Sequence, residues 1–131
     1  MIRPLKVILP LILTCIFISC RKNLPCDDIY LSNLRCELMN NPEGIDVCNP
    51  RLSWEINSSG RNIMQRAYQI IVSSSPEKLA ADEGDLWNSG KVTSDQSIHI
   101  EYGGVPLKSR MQCYWKVKVW CNNAESDWST Y

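Results

Sequence analysis

Two glutamates, Glu55 and Glu101, could in principle form the carboxyl pair of a glycoside hydrolase, one as general acid and one as base. Both fall at outward-facing positions of predicted β-strands, and nothing in the neighbouring sequence would give them these different roles. A second acidic group, Asp82, Glu83 and Asp85, offers too few oxygen ligands for calcium and favours a plain surface turn. The sequence therefore predicts no catalytic residue and no metal site.

Thiol chemistry is also poorly supported, although the chain contains seven cysteines and one histidine, His99. No Cys-x-x-Cys pair is present, so neither a zinc site nor another cofactor is predicted. Cys113 and Cys121 lie on one face of one predicted strand, roughly 26 Å apart, and cannot bond to each other. Small apolar core groups are the favoured role for most thiols, and one disulfide involving Cys36 or Cys48 stays open.

The overall charge argues against a polyanionic partner. Lysine and arginine total 14, aspartate and glutamate also total 14, and the formal net charge is zero. No basic patch interleaved with aromatic residues occurs, so nucleic acid is not a predicted partner. The 131 residues leave room for one domain and a leader.

Residues 1–19 have the composition of an export signal. Arg3 and Lys6 form a short positive region, and an apolar run follows from Val7 to Ile18. A helix of about twelve residues spans roughly 18 Å, which is too short for a membrane core of about 30 Å. We therefore expect a signal peptide rather than a transmembrane anchor.

The end of this leader, Ser19-Cys20 after an apolar run, resembles a bacterial lipoprotein box. The resemblance implies cleavage before Cys20 and acylation of its thiol. The mature chain would then be lipid-anchored in the bacterial cell envelope, on its periplasmic or outer surface. An ordinary cleaved signal, with Cys20 as a bystander, is the alternative. The expected domains are a signal peptide (1–19), a lipidated linker (20–28) and a folded domain (29–131).

The segment from Gln112 to Ser129 organises the folded domain. Its residues 113–121 alternate with the period of two that is typical of a half-buried β-strand. Trp115, Val117 and Val119 lie on the predicted inner face, while Lys116 and Lys118 lie on the outer face and are expected to meet water. The inner face must therefore pack against another layer.

Six such strands and the start of a seventh, separated by turn residues, predict an all-β antiparallel sandwich. Trp54 and Trp115 are expected to come from opposite sheets and to stack in the shared core. The first predicted strand runs from Ile29 to Leu38, with Leu34, Cys36 and Leu38 on one side.

The last strand is predicted to be truncated, because the sequence stops at Tyr131. Much of the backbone of residues 112–121 is therefore expected to lack a partner on one side.

Four blocks of the sequence resemble a known family when taken together, and the resemblance covers about residues 30–130. Leu52-x-Trp54 and Trp115-x-Val117-x-Val119 are similar to the fibronectin type III or immunoglobulin-like sandwich. More narrowly, the chain resembles the N-terminal fibronectin type III-like domain of bacterial α-L-rhamnosidases. The blocks are Asn41 to Asp46, Pro50 to Trp54, Gly84 to Val92, and Tyr114 to Trp120.

The resemblance implies that the catalytic machinery lies outside this sequence. In such enzymes the sandwich precedes further β-domains and a helical barrel, and the barrel supplies the carboxylates for rhamnoside hydrolysis. The chain is therefore expected to be a non-catalytic accessory fragment of an exported rhamnosidase-like glycoside hydrolase, and not an enzyme by itself. Its expected partners are the downstream catalytic and β-domains. A stand-alone surface lipoprotein that binds a plant or bacterial glycan, or a protein, is the alternative.

Trp87 and Trp120 form the predicted aromatic contact surface. Exposed indole rings can stack on sugars, and they can equally be covered by a neighbouring domain of a longer protein. The second interpretation is favoured, because sandwich domains beside linkers usually dock on their neighbours.

Overall fold

The computed structural model describes residues 28–122 and 124–130. The predicted signal peptide, the lipid-attachment residue Cys20 and nearly all of the predicted linker lie outside the described residues. The elements in chain order are β1 (Ile29–Cys36), β2 (Arg51–Ser58), β3 (Gln65–Ser73), α1 (Pro76–Ala80), β4 (Trp87–Asn88), β5 (Val92–Thr93), β6 (Ile100–Glu101) and β7 (Tyr114–Cys121).

The strands form two antiparallel sheets. The first sheet has the order β1-β2-β6. In the second sheet β3 is central, with β7 on one side and the short strands β4 and β5 on the other. The predicted all-β antiparallel sandwich is confirmed.

The interior is built from alternate residues of the long strands. Ile70 of β3 and Val117 and Val119 of β7 are completely buried, and Leu52 and Trp54 of β2 face them from the other sheet. These inward positions were predicted from the period-two pattern, which places every second side chain on one face. Burial of these apolar side chains, each worth about 1.5–3 kcal/mol, holds the two sheets together.

The predicted stacking of Trp54 on Trp115 is wrong. The two residues do come from opposite sheets, but the aromatic partner of Trp54 is Tyr68, edge to face at 5.4 Å between ring centroids. Tyr68 is paired with Val119, four residues along β7 from Trp115, which is a separation of roughly 13 Å. Trp115 therefore lies near the other end of β7 and is only partly buried.

A buried glutamine joins the two sheets across the core. The Trp54 indole Nε1–H donates a hydrogen bond to Gln65 Oε1 at 3.1 Å. The Gln65 amide nitrogen donates to the carbonyl oxygens of Ser94 (3.1 Å) and Gln96 (2.7 Å). The connection between β5 and β6 is thereby fixed to β3.

The outer face of the second sheet is covered, which corrects the expectation that Lys116 meets water. Lys116 is only 5% exposed, and its paired residue on β3, Ile71, is only 2% exposed. Helix α1 contacts both strands, starts at the N-cap Ser75 and buries Leu79 completely. The Lys116 ammonium is paired with the Asp82 carboxylate and lies 5.0 Å from the Trp128 ring centroid. Its aliphatic stem is therefore part of a small second core.

Leu38 is exposed, not inward. The register of β1 on β2 shifts between Ser32 and Arg35, so that Ile29 and Leu31 are buried before the shift and Leu34 and Cys36 pack inward after it. The strand ends at Cys36 and turns at once, before residue 38 can continue the alternation.

The segment after β7 supplies partners for backbone that was expected to be unpaired. The Ser126 N–H donates to the Val119 carbonyl at 2.9 Å, and Ser126 Oγ accepts from the Val119 N–H at 3.0 Å. Ser129 makes the same pair of bonds to Val117, at 2.9 and 3.1 Å. The expectation of an open edge is therefore wrong at these two residues, because serine hydroxyls stand in for a regular strand.

Replacement of Ser126 by alanine tests this arrangement. Ser126→Ala leaves the buried Val119 N–H without its acceptor, so the free energy of unfolding should fall by about 1–3 kcal/mol. Urea denaturation monitored by tryptophan fluorescence measures the change. Thr130→Ala is the control, since Thr130 is exposed and should cost less than about 0.5 kcal/mol. Equal stability of the two variants would contradict the assignment.

Candidate functional site

Trp87, one of the two predicted contact residues, lies at the margin of the core. It pairs with the inward-facing Val72, so its side chain is on the inner side of the second sheet. Its ring packs edge to face on Tyr102 at 5.4 Å. A Cβ added at Gly104 would lie 2.5 Å from the Trp87 Cβ, so glycine is needed at that position for the close approach. The ring is therefore partly buried by its own domain.

Trp120, the other predicted contact residue, lies on the opposite face of the same sheet. It pairs with Ala67, whose side chain is directed away from the sandwich interior. The Lys91 ammonium lies 4.4 Å from the Trp120 ring centroid, and the Lys118 ammonium lies 5.3 Å from it. A sugar stacking on the face next to Lys91 would have to displace this cation–π contact.

The structure thus does not bring Trp87 and Trp120 together in one surface. Their partners on β3 are five residues apart, roughly 16 Å along the strand, and the two side chains are on opposite faces of the sheet. Contact of either ring with a glycan or a neighbouring domain stays a prediction.

Glu55 and Glu101 are exposed on the outer face of the first sheet. Glu101 pairs with Arg51, four residues from Glu55 along β2, so the two glutamate Cα atoms are roughly 14 Å apart. Glu55 Oε1 accepts a hydrogen bond from Asn33 Nδ2 at 2.5 Å. Glycosidase carboxyl groups flank a bound sugar. Both side chains are exposed on an open sheet face, so the structure provides no enclosed site in which one could act as acid and the other as base.

The acidic loop is neutralised by lysines. The Lys78 ammonium lies 2.8 Å from Asp85 Oδ2, and Ser74 donates hydrogen bonds to the same carboxylate through its hydroxyl (2.6 Å) and its N–H (2.9 Å). The hydrogen bond from Lys78, followed by those from Ser74, lowers the pKa of Asp85 far below its usual value. Asp82 is paired with Lys116. Within residues 28–122 and 124–130, no group of three potential metal ligands occurs.

The described cysteines are free thiols, including both candidates for a disulfide, Cys36 and Cys48. Burial raises the pKa of Cys36 to about 11, and burial also raises the pKa of Cys113 and Cys121. These three thiols are therefore mostly protonated at neutral pH and poor nucleophiles.

A surface cleft of about 260 Å³ lies between the start of β1 and the segment after β7. Its lining residues are Ile29, Tyr30, Leu31, Asp127, Trp128, Ser129 and Thr130. Asp127 is the only carboxylate among them, so the cleft lacks the acid–base pair that glycoside hydrolysis needs. Sequence reasoning missed this cleft, because it depends on how two segments almost 100 residues apart meet in space.

Lys116 was also misread from the sequence. One signal was available: Ile71, an apolar residue at an outward-facing strand position, indicates that this face of the sheet is covered.

In the part of the chain that the structure describes, no helix has the length and apolarity needed to span a lipid bilayer.

Comparison with known proteins gives consistent matches. A sequence model of the Rha78A-like N-terminal immunoglobulin domain matches residues 31–131. An α-L-rhamnosidase of Formosa agariphila is 38% identical over 132 residues, covering 95% of this chain and 13% of that protein. An α-L-rhamnosidase of Streptomyces avermitilis is 43% identical over 94 residues, covering 71% of this chain and 9% of that protein.

A solved structure contains the same architecture over part of its chain. The α-L-rhamnosidase from Dictyoglumus thermophilum superposes with a TM-score of 0.74 and 39% identity, over 77% of this chain and 11% of the other. The sequence thus spans about a tenth of the length of the proteins it matches. The family match covers nearly all of the described sandwich, and the chain belongs to the family of Rha78A-like N-terminal immunoglobulin domains.

Proposed function

We propose that this domain is a non-catalytic accessory part of an exported, lipid-anchored α-L-rhamnosidase-like protein, in which it positions the catalytic domains. The observation that carries the proposal is the membership of an N-terminal domain family of rhamnosidases, combined with a filled sandwich core. Glu55 and Glu101, the two carboxyl groups weighed as an acid–base pair, lie exposed on an open sheet face.

The relatives indicate where the chemistry would lie. The curated proteins that match are α-L-rhamnosidases, and this chain accounts for only 9–13% of the two described above. The remaining nine tenths would have to supply the carboxyl groups and the substrate pocket. For a longer protein containing this domain, we infer terminal α-L-rhamnosides as the substrate class.

Export and anchoring rest on the leader. A positive region, an apolar run and the Ser19-Cys20 end have the order of a bacterial lipoprotein signal. Acylated Cys20 would hold the domain at a membrane of the cell envelope. The eight or so residues between Cys20 and β1 would then act as a short tether.

A glycan-binding surface protein is the second candidate, and the cleft beside Tyr30 and Trp128 is the observation that favours it. Two aromatic residues and the Asp127 carboxylate are the residue types that bind sugars. The Lys116 ammonium near the Trp128 ring competes with a stacking sugar, so this candidate is weaker.

Domain replacement in a related enzyme tests the accessory function. Deletion of the matching region from the Streptomyces avermitilis α-L-rhamnosidase should lower its melting temperature by several degrees, because a docked domain is lost. Replacement of that region by residues 31–131 of this chain should restore the melting temperature without changing the KM for an aryl α-L-rhamnoside. A graft no more stable than the deletion would contradict the proposal.

Lipid attachment is tested by labelling with a palmitate analogue in a bacterial host. Full-length chain should incorporate label and fractionate with membranes, and Cys20→Ser should abolish both because the acylated thiol is lost. Cys15→Ser is the matched control, since this cysteine lies inside the predicted signal and should leave labelling unchanged. Equal labelling of Cys20→Ser and the unsubstituted chain would exclude Cys20 as the attachment residue.

A further inference from the structure

Two long loops meet at one end of the sandwich. Residues 37–50 connect β1 to β2, and residues 102–113 connect β6 to β7. The Tyr102 N–H donates a hydrogen bond to the Pro50 carbonyl at 2.9 Å, which joins the bases of the two loops. The bases of the two loops are therefore adjacent at one end of the sandwich.

This end carries most of the exposed apolar side chains. Of the eight large hydrophobic residues that are exposed in the described chain, five lie in these two loops, which make up about a quarter of that chain. Single exposed apolar residues are ordinary, but their concentration at one end is typical of an interaction surface. We name this surface the apolar pole; it consists of Leu38, Met39, Val47, Val105 and Met111.

Backbone strain holds part of the apolar pole in place. Cys36 and Met39 pair across a two-residue turn, and its central residues Glu37 and Leu38 have φ values of 50° and 64°. Such turns favour Asn-Gly, and a leucine in the left-handed region is strained because its Cβ lies too close to the following carbonyl oxygen.

An ion pair fixes this strained turn to the neighbouring strand. The Arg51 guanidinium lies 2.8 Å from Glu37 Oε2, and the Arg51 N–H donates to Glu37 Oε1 at 2.6 Å. The hydrogen bonds from Arg51 lower the pKa of Glu37, so the carboxylate is kept charged for this contact. The turn thus holds Leu38 and Met39 exposed to solvent despite the unfavourable backbone conformation of Leu38. Strained backbone of this kind is concentrated at functional sites.

The direction of the last segment points to what covers this surface. Residues 124–130 run antiparallel to β7, from Ala124 beside Cys121 to Ser129 beside Val117. A polypeptide that kept this direction beyond residue 130 would approach Tyr114, where β7 begins at the end that bears the apolar pole. A polypeptide that continues past residue 131, as in the much longer rhamnosidases, would therefore emerge next to this surface.

We propose that the apolar pole is the docking surface for the domain that follows this one in an α-L-rhamnosidase-like chain; this rests on the proposed accessory function. Five exposed side chains make a small contact, but a covalent tether supplies an effective concentration in the millimolar range. A contact too weak to hold two free proteins can then fix the orientation of two linked domains.

Hydrogen exchange in the grafted Streptomyces avermitilis enzyme tests the proposal. The amides of residues 37–50 and 102–113 should exchange about tenfold or more slowly in the graft than in the free chain. Met39→Ser should remove this protection and lower the melting temperature of the graft, yet leave the free chain unchanged. Met64→Ser is the matched control, because Met64 is similarly exposed (54% against 49% for Met39) but lies at the other end of the sandwich.

Three results would overturn the proposal. The first is protection at residues 59–64 in a stabilised graft, which keeps the accessory function but places the contact at the opposite end. The second is concentration-dependent protection of the apolar pole in the free chain, which makes a second copy the occupant. The third is unchanged exchange in both loops. If such a graft is also no more stable than the deletion, the accessory function fails as well.

Discussion

The Gln65 side chain is the polar contact on which the relation between the two sheets depends. It is 5% exposed, and its amide has an acceptor and two donor hydrogens to satisfy away from water. The indole N–H of Trp54, from the facing sheet, donates to its oxygen, and two carbonyls of the β5–β6 connection accept from its nitrogen. A slip of either sheet would leave a buried amide and an indole N–H unpaired, at about 1–3 kcal/mol for each group. Apolar burial supplies most of the stability, and this contact selects the alignment.

Because the core is filled by side chains, any function of this domain has to involve its surface. The inner faces of both sheets are filled, and α1 with the Lys116 stem closes much of the outer face of the second sheet. The strain in the Glu37-Leu38 turn and the exposed side chains around it lie at one end of the sandwich, outside both cores. This distribution agrees with the proposed role of the domain in contacts with its neighbours.

The features that depend on local periodicity could be predicted from the sequence. The alternation in β2, β3 and β7 was sufficient to identify the sandwich and the inward positions of Trp54 and Val117, because a strand's period is set by its backbone. Lys116 could not be placed in this way, since its burial depends on Asp82 and α1, more than 30 residues earlier in the chain. The separation of Trp87 from Trp120 likewise follows from the pairing register of β4 and β7 on β3, which alternation alone does not fix.

We propose above all that this domain positions its neighbours and contributes no bond-breaking chemistry. The most direct measurement is the release of chromophore from an aryl α-L-rhamnoside by the purified chain, at the highest soluble protein concentration. We expect a rate indistinguishable from spontaneous hydrolysis. Saturable turnover that Glu55→Gln or Glu101→Gln abolishes would contradict it, because the carboxylates on the open face of the first sheet would then be catalytic.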